Sequence, residues 1–224
     1  MSDSLARHDD YDGPPFDESL IDRDPFVQLR RWLGDAEAAG LPDANAMVLG
    51  TVDPDGAPSS RTVLLKGLAG PDGPALEFVT NSESRKGIAL ASEQRVTLLF
   101  PWYALRRQVI VDGVAHPAPA ALSDEYWATR PRGSQIGGWA SRQSRPAADR
   151  AELERAVAAA EARFADVDAV PRPPHWGAWL VEPRSVEFWQ GRPSRLHDRL
   201  VLERVPAAGR PAVDAAWRLL RRQP

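Results

Sequence analysis

Arg192, Arg195, His197 and Arg199 fall within eight residues, directly behind an apolar run that ends in Trp189. Guanidinium groups offer forked donors that match phosphate oxygens, so the cluster suits a small anionic ligand. A solvated basic turn carries the same residues. His197 is an acid, a base or a hydrogen-bonding group there. The Trp189 ring is either core packing or a neighbour for a planar heterocycle. Three further clusters carry comparable chemistry. Arg61-Thr-Val-Leu-Leu-Lys66 sets two cations on opposite faces of an extended strand. They suit two anionic groups, two sides of one flat ligand, or simply the charged ends of an edge strand. Ser84 reads as a helix N-cap followed by Arg85 and Lys86, cations that oppose the helix dipole unless an anion sits on the free N–H groups. Tyr126 and Arg130 share a helix face by their spacing. Pro131 ends that helix and Ser134 lies in the loop beyond, so a phenol, a guanidinium and a hydroxyl converge on a phosphate, or merely cap the helix. Gln143 and Ser144 add neutral donors and acceptors.

The composition narrows the chemistry further. The chain has 224 residues, a net charge of -3 and no cysteine. The charge gives no electrostatic support for nucleic-acid binding. Without cysteine there is no disulfide, zinc–thiolate site, Fe–S cluster or thiol catalysis. The four histidines are scattered without ligand spacing, so no metal site is expected. No Gly-x-Gly-x-x-Gly follows a strand, and there is no P-loop and no Gly-x-Ser-x-Gly elbow. No apolar run is long enough to span a bilayer, and the polar N-terminus is not a signal peptide, so a cytoplasmic location is expected. Of the 28 basic residues all but Lys66 and Lys86 are arginine. A compact ammonium is not interchangeable with a guanidinium at a site, which singles out these two positions.

The elements that must position these groups alternate short strands and turns. Residues 1–23 read as a flexible acidic arm, and 24–224 as a single domain. A helix starts at Asp24 as N-cap with Pro25 behind it, and Gly40-Leu-Pro42 stops it. Strands are expected at 46–52, 61–68, 76–80, 95–102 and 108–116, with a short helix at 84–91. This meander predicts a closed barrel rather than an open sheet. Ser123 is expected to cap a helix over 124–129, with a short turn at 135–141 and a helix at 147–164. Strands at 176–181, 185–189, 199–205 and 216–220 complete the chain. The fold class is α+β, mainly antiparallel β, with peripheral helices.

In chain order, Arg61-Thr-Val-Leu-Leu-Lys66, Thr80-Asn81 with Ser84-Arg-Lys86, Arg107-Gln108-Val109, Arg130-Pro-Arg-Gly-Ser-Gln-Ile-Gly137 with Ser141-Arg-Gln-Ser144, and Glu187-Phe-Trp-Gln-Gly with Arg195-Leu-His-Asp-Arg199 resemble the pyridoxine (pyridoxamine) 5′-phosphate oxidase family. The resemblance spans residues 24–224 and implies a split β-barrel, a homodimer and FMN at the subunit interface. It implies FMN contacts at Arg61, Thr62, Val63, Leu64, Leu65, Lys66, Val79, Thr80, Arg85, Lys86, Gln108, Gln143, Ser144, Trp189 and Arg199. It places the substrate phosphate on Lys66, Tyr126, Arg130 and Ser134, and Arg195 and His197 beside the pyridine ring as the catalytic pair. The implied reaction oxidises the C4′ carbon of pyridoxamine or pyridoxine 5′-phosphate. A hydride goes to the flavin, O2 reoxidises it to give H2O2, and the amine substrate releases ammonia.

The chain departs from the family pattern in places. His8 stands where an arginine three residues before Tyr11 is usual, and Arg7 is one residue off. Asp17 and Glu18 replace basic residues of the arm, Val79 replaces a commoner aromatic, and the ending Trp217…Arg221-Arg-Gln-Pro224 follows the family only loosely. Two other readings stay open: an FMN oxidase of a phenazine-type intermediate, and a non-catalytic protein that binds flavin or pyridoxal phosphate.

Overall fold

The computed structural model describes residues 10–68, 70, 73–205 and 216–224. Helix α1 (Pro25–Ala38) begins where Asp24 accepts a hydrogen bond from the Phe26 N–H at 2.8 Å, with Pro25 in the first turn. Its apolar face, Phe26, Leu29, Trp32 and Ala36, is buried. The helix ends as expected at Gly40, whose φ of +69° is a left-handed conformation. Strands β1 (Ala46–Val52) and β2 (Pro58–Leu64) form an antiparallel hairpin around the turn at Asp53, where Gly56 N–H reaches Asp53 O at 2.8 Å. Then come β3 (Leu76–Asn81), α2 (Arg85–Ser92), β4 (Arg95–Trp102) and β5 (Arg107–Pro117). Three helices, α3 (Ala120–Thr129), α4 (Arg132–Ala140) and α5 (Arg150–Arg163), precede β6 (Trp176–Gln190), β7 (Asp198–Arg204) and β8 (Trp217–Arg221).

The sheet runs β2-β1-β4-β5-β6-β7-β8, with β3 on β6 off this path. Strand β6 organises the fold. One of its edges pairs β5 along most of its length; the other is shared, by β3 over residues 176–181 and by β7 over 185–190. The ring β2-β1-β4-β5-β6-β3 is completed only by an isolated bridge, Gly67 to Glu77. The expected closed barrel is therefore corrected: the antiparallel sheet is not closed by a continuous ladder, and the barrel is split where β3 leaves the edge of β6 to β7. A main core built on Met47, Leu49, Leu98, Phe100, Val111 and Phe188 lies against the sheet, and a smaller one, around Trp127, Ile136, Phe164 and Trp176, lies under α3–α5.

Several expected boundaries shift for identifiable reasons. The two strands expected at 176–181 and 185–189 are one. Pro183 looks like a break, but it sits opposite Gly113 at a β-bulge, where the missing N–H is tolerated. A methyl on Gly113 would lie 2.5 Å from Glu182 O, so only glycine allows the strands this close. Ser123 is not a cap: α3 starts at Ala120, and the buried Ser123 Oγ accepts from Ala178 N–H at 3.0 Å, pinning the helix to β6. The short turn expected at 135–141 is helix α4, which places Ser134 inside a helix rather than a loop. α5 starts at Arg150, capped by Asp149. The part of the expected arm that is described, 10–23, packs on the body: Phe16 and Ile21 are buried, and Phe16 N–H donates to Asp198 Oδ2 at 3.1 Å. Arg7 and His8 lie outside the described residues. Among the described residues no helix is long and apolar enough to cross a membrane, and no group of acidic or histidine side chains is arranged to hold a metal ion.

Candidate functional site

A cavity of about 510 Å³ lies where β2 and β3 meet α2, α3 and α4. Strand β2 and the residues after it contribute Thr62, Val63, Leu64 and Lys66. Val79, Thr80 and Asn81 come from the end of β3, and Lys86 from the first turn of α2. The helical layer supplies Tyr126, Arg130 and Ser134, then Ser141 and Gln143 from the segment after α4. Trp176, the first residue of β6, closes one wall. All four expected phosphate contacts, Lys66, Tyr126, Arg130 and Ser134, thus share one cavity with seven of the expected flavin contacts besides Lys66: Thr62, Val63, Leu64, Val79, Thr80, Lys86 and Gln143.

The cavity is built for negative charge. Lys86 Nζ donates to Gln143 Oε1 at 3.0 Å, and Lys66 Nζ lies 5.6 Å from the centre of the Tyr126 ring. Arg130 donates from Nη2 to Ser134 O at 3.2 Å and lies over the rings of Trp176 and Trp127, at 5.0 and 5.6 Å. Elsewhere guanidinium groups pair with acids, as Arg199 does with Glu187 and Arg221 with Glu18. Among the described residues none of Lys66, Lys86 and Arg130 has a carboxylate within ion-pair distance. Burial, and after it the charge of Arg61, push the Lys86 ammonium below the usual lysine range. Two buried polar atoms, Thr80 Oγ1 and Arg130 Nε, have no hydrogen-bond partner. Such orphaned groups are costly unless something fills the cavity and satisfies them. A phosphorylated, hydrogen-bonding ligand fits this donor set.

Other expected residues lie outside the cavity. Leu65 is buried in the core, its N–H bonded to Asn45 O. Arg61 is turned back onto its own sheet, donating to Thr51 Oγ1 and Ser59 Oγ, both at 2.7 Å. Burial lowers its pKa, with Asp53 opposing and Arg85 assisting. Arg85 binds Asp53 through Nε at 2.7 Å and borders a separate hollow of about 430 Å³ together with Ser144, whose φ is +71°.

The remaining expected residues form a second cluster at the far end of β6. Gln108, Trp189 and Arg199 are direct cross-strand neighbours on β5, β6 and β7, and therefore share a face. Glu187, two residues from Trp189 on that face, holds Arg199 by hydrogen bonds of 2.7 and 3.0 Å. The His197 ring lies 4.6 Å from Trp189 and 5.5 Å from Tyr11. Its Nδ1 accepts from Arg192 N–H at 3.1 Å, and among the described residues Nε2 makes no hydrogen bond. Burial first, then the Arg195 charge, lower the His197 pKa, with Asp10 opposing. Ser194 and Arg195 both have positive φ, +58° and +61°, a conformation that costs energy in non-glycine residues and holds the tip beside His197. Arg195 lies 5.8 Å from the Tyr11 ring. Arg192, unassigned in the sequence, is no free surface charge: it donates to Gly13 O at 2.6 Å and pairs with Asp198. From Trp176 to Trp189 the path along β6 is roughly 40 Å at the rise of an extended strand, and no residue of the second cluster lines the first cavity.

Sequence reasoning missed Trp176, Asn81 and Ser141 as cavity residues. Trp176 carried a weak signal, an aromatic opening a strand directly after the linker Pro171-Arg-Pro-Pro174.

Residues 33–164 match the family model for pyridoxamine 5′-phosphate oxidase, and residues 176–224 that for the pyridoxine 5′-phosphate oxidase C-terminal dimerisation region. The chain is 49% identical over 224 residues to a pyridoxine/pyridoxamine 5′-phosphate oxidase of Thermobifida fusca, covering 100% of this chain and 99% of that one. It is 53% identical over 204 residues to that of a Nocardioides species, covering 91% and 93%. Among solved structures, PhzG from Burkholderia lata in complex with tetrahydrophenazine-1-carboxylic acid is 30% identical with a TM-score of 0.78, over 91% of this chain and 94% of that one.

Proposed function

The chain belongs to the pyridoxamine 5′-phosphate oxidase family, and from that premise we propose that it is an FMN-dependent oxidase that converts pyridoxamine or pyridoxine 5′-phosphate to pyridoxal 5′-phosphate with O2 as acceptor. The observation that carries this reading is the cavity whose three cations, Lys66, Lys86 and Arg130, have no acid partner among the described residues. Two phosphate groups, one of cofactor and one of substrate, account for that surplus better than one.

Bound FMN supplies the electron acceptor and the reaction with O2. The chain's own residues supply binding and orientation. Lys86 and Gln143, with Thr62, Val63, Leu64, Lys66, Val79 and Thr80, hold the flavin nucleotide. Lys66, Tyr126, Arg130 and Ser134 hold the substrate phosphate. Arg195 and His197 bear on the pyridine ring, where a neutral His197 accepts or donates a proton at Nε2. Because the two clusters lie at opposite ends of β6, the second cluster completes the cavity of a second copy. The dimerisation region at 176–224 contains Trp189, Arg195, His197 and Arg199 of that cluster, which fits a homodimer with the cofactor between subunits. Gln108, Trp189 and Arg199 then reach the flavin from the partner, and Arg61, Arg85 and Ser144 serve it from the rim.

Subunit mixing tests this arrangement. Arg130→Ala and His197→Ala chains, each nearly inactive at low substrate, regain about a quarter of wild-type activity when mixed as dimers, because one of the two sites in each heterodimer is intact. No recovery overturns the shared site. The likeness to PhzG keeps one alternative: oxidation of a tricyclic phenazine precursor. The four-residue phosphate grip disfavours it, and preference for an unphosphorylated tricycle over pyridoxamine 5′-phosphate would establish it. Tight flavin binding without turnover would establish a non-catalytic binding protein.

A further inference from the structure

Among the described residues the charge of Arg130 meets no carboxylate; two indole rings lie against it instead. Of the two, Trp176 is the one that lines the cavity. Its backbone is set by pairing with Asn81 across β3–β6, by the turn to Pro173 O at 3.0 Å, and by Arg172, which donates to its carbonyl at 2.6 Å. Its ring is stacked on Tyr126, with centroids 6.0 Å apart and planes 10° from parallel, and braced edge-on by Trp127 at 4.9 Å. Trp127 is in turn anchored by its indole N–H to Val170 O at 2.8 Å. Trp176 thus touches both the phenol and the guanidinium of the proposed phosphate grip.

An aromatic face attracts a guanidinium without neutralising it, whereas a carboxylate would compete with an incoming dianion. The buried Arg130 Nε has no hydrogen-bond partner, so the guanidinium is located by its Nη2 bond to Ser134 O and by the two rings. The geometry points to Trp176 as a positioning residue that orients Arg130 toward the substrate phosphate while leaving the arginine charge available. The inference rests on the oxidase reading and on Arg130 as a phosphate ligand. Trp176 acts through Arg130 and takes no part in the chemistry.

The test is steady-state kinetics on the FMN-loaded dimer with pyridoxamine 5′-phosphate, using Trp176→Leu, Trp176→Phe, Arg130→Ala and the double variant Trp176→Leu/Arg130→Ala. Trp176→Leu raises KM roughly tenfold and leaves kcat within about twofold, and Trp176→Phe, with a weaker but flat ring, falls between it and wild type. The double variant is no worse in KM than Arg130→Ala alone, since a residue acting through Arg130 has nothing left to orient. If the Trp176 effect multiplies in full on the Arg130→Ala background, or Trp176→Phe leaves KM raised as far as Trp176→Leu, the inference is overturned. A wild-type enzyme that does not turn over this substrate would instead remove the functional reading beneath it.

Discussion

Lys86 Nζ donates to Gln143 Oε1 at 3.0 Å, joining the first turn of α2 to the segment after α4 across 57 positions of sequence. The contact closes one side of the cavity and leaves a cation there without an acid partner among the described residues. Burial and the nearby Arg61 hold Lys86 below the usual lysine range. An anion beside it favours the charged form, so near and above the depressed value binding takes up a proton. FMN affinity therefore falls as pH rises through the depressed Lys86 value. Lys86→Met weakens FMN binding about tenfold or more and flattens that alkaline limb, which fluorescence titration of FMN across pH measures.

Arg130→Ala is expected to raise KM for phosphorylated substrate by about tenfold to a hundredfold, the range for loss of a charged hydrogen-bonding partner. FMN content stays unchanged, because the proposed role of Arg130 is on the substrate phosphate and not on the flavin. An unchanged KM removes Arg130 from the grip.

How much of this was legible beforehand differs by residue. Lys66 and Lys86 stood out because an ammonium is rare in so arginine-rich a chain, and both line the cavity. Tyr126 and Arg130 were legible through helical spacing, although the helix starts earlier than Ser123 suggested. What failed was what depends on distant partners. Ser123 looks like a cap only until Ala178 claims its hydroxyl. Pro183 reads as a break only until the bulge opposite Gly113 absorbs it. Arg192 looks solvated because its partner, Gly13 O, lies 179 residues away. No local pattern separates the two clusters either, since that follows from the length of β6.

His197 is held below its ordinary pKa by burial and by Arg195. If it works as the neutral ring, kcat/KM falls on the acid side with a pKa below the usual histidine value. Arg195→Ala removes the repelling charge, raises that pKa and moves the acid limb toward neutrality. A pH–rate profile of both proteins checks the direction; an acid limb that stays in place excludes His197 as the titrating group.

The Arg199–Glu187 pair ties a proposed flavin contact to stability. Glu187 is almost fully buried, with a side chain 6% exposed, and is shared by Arg199 and Arg222. Arg199→Ala leaves Arg222 as a weaker partner, so the cost is about 1–3 kcal/mol rather than that of a wholly orphaned acid. Thermal unfolding of the FMN-free protein should show a Tm lower by roughly 3–10 °C. A Tm equal to wild type makes the pair a site feature without structural weight.

The absorbance spectrum of the purified protein, followed through anaerobic addition of pyridoxamine 5′-phosphate and then admission of air, tests the oxidase assignment most directly. The expected course is a yellow flavin band that bleaches on substrate addition and returns in air with release of H2O2 and pyridoxal 5′-phosphate. A protein that cannot be loaded with FMN, or a flavin band that substrate leaves untouched, would contradict it.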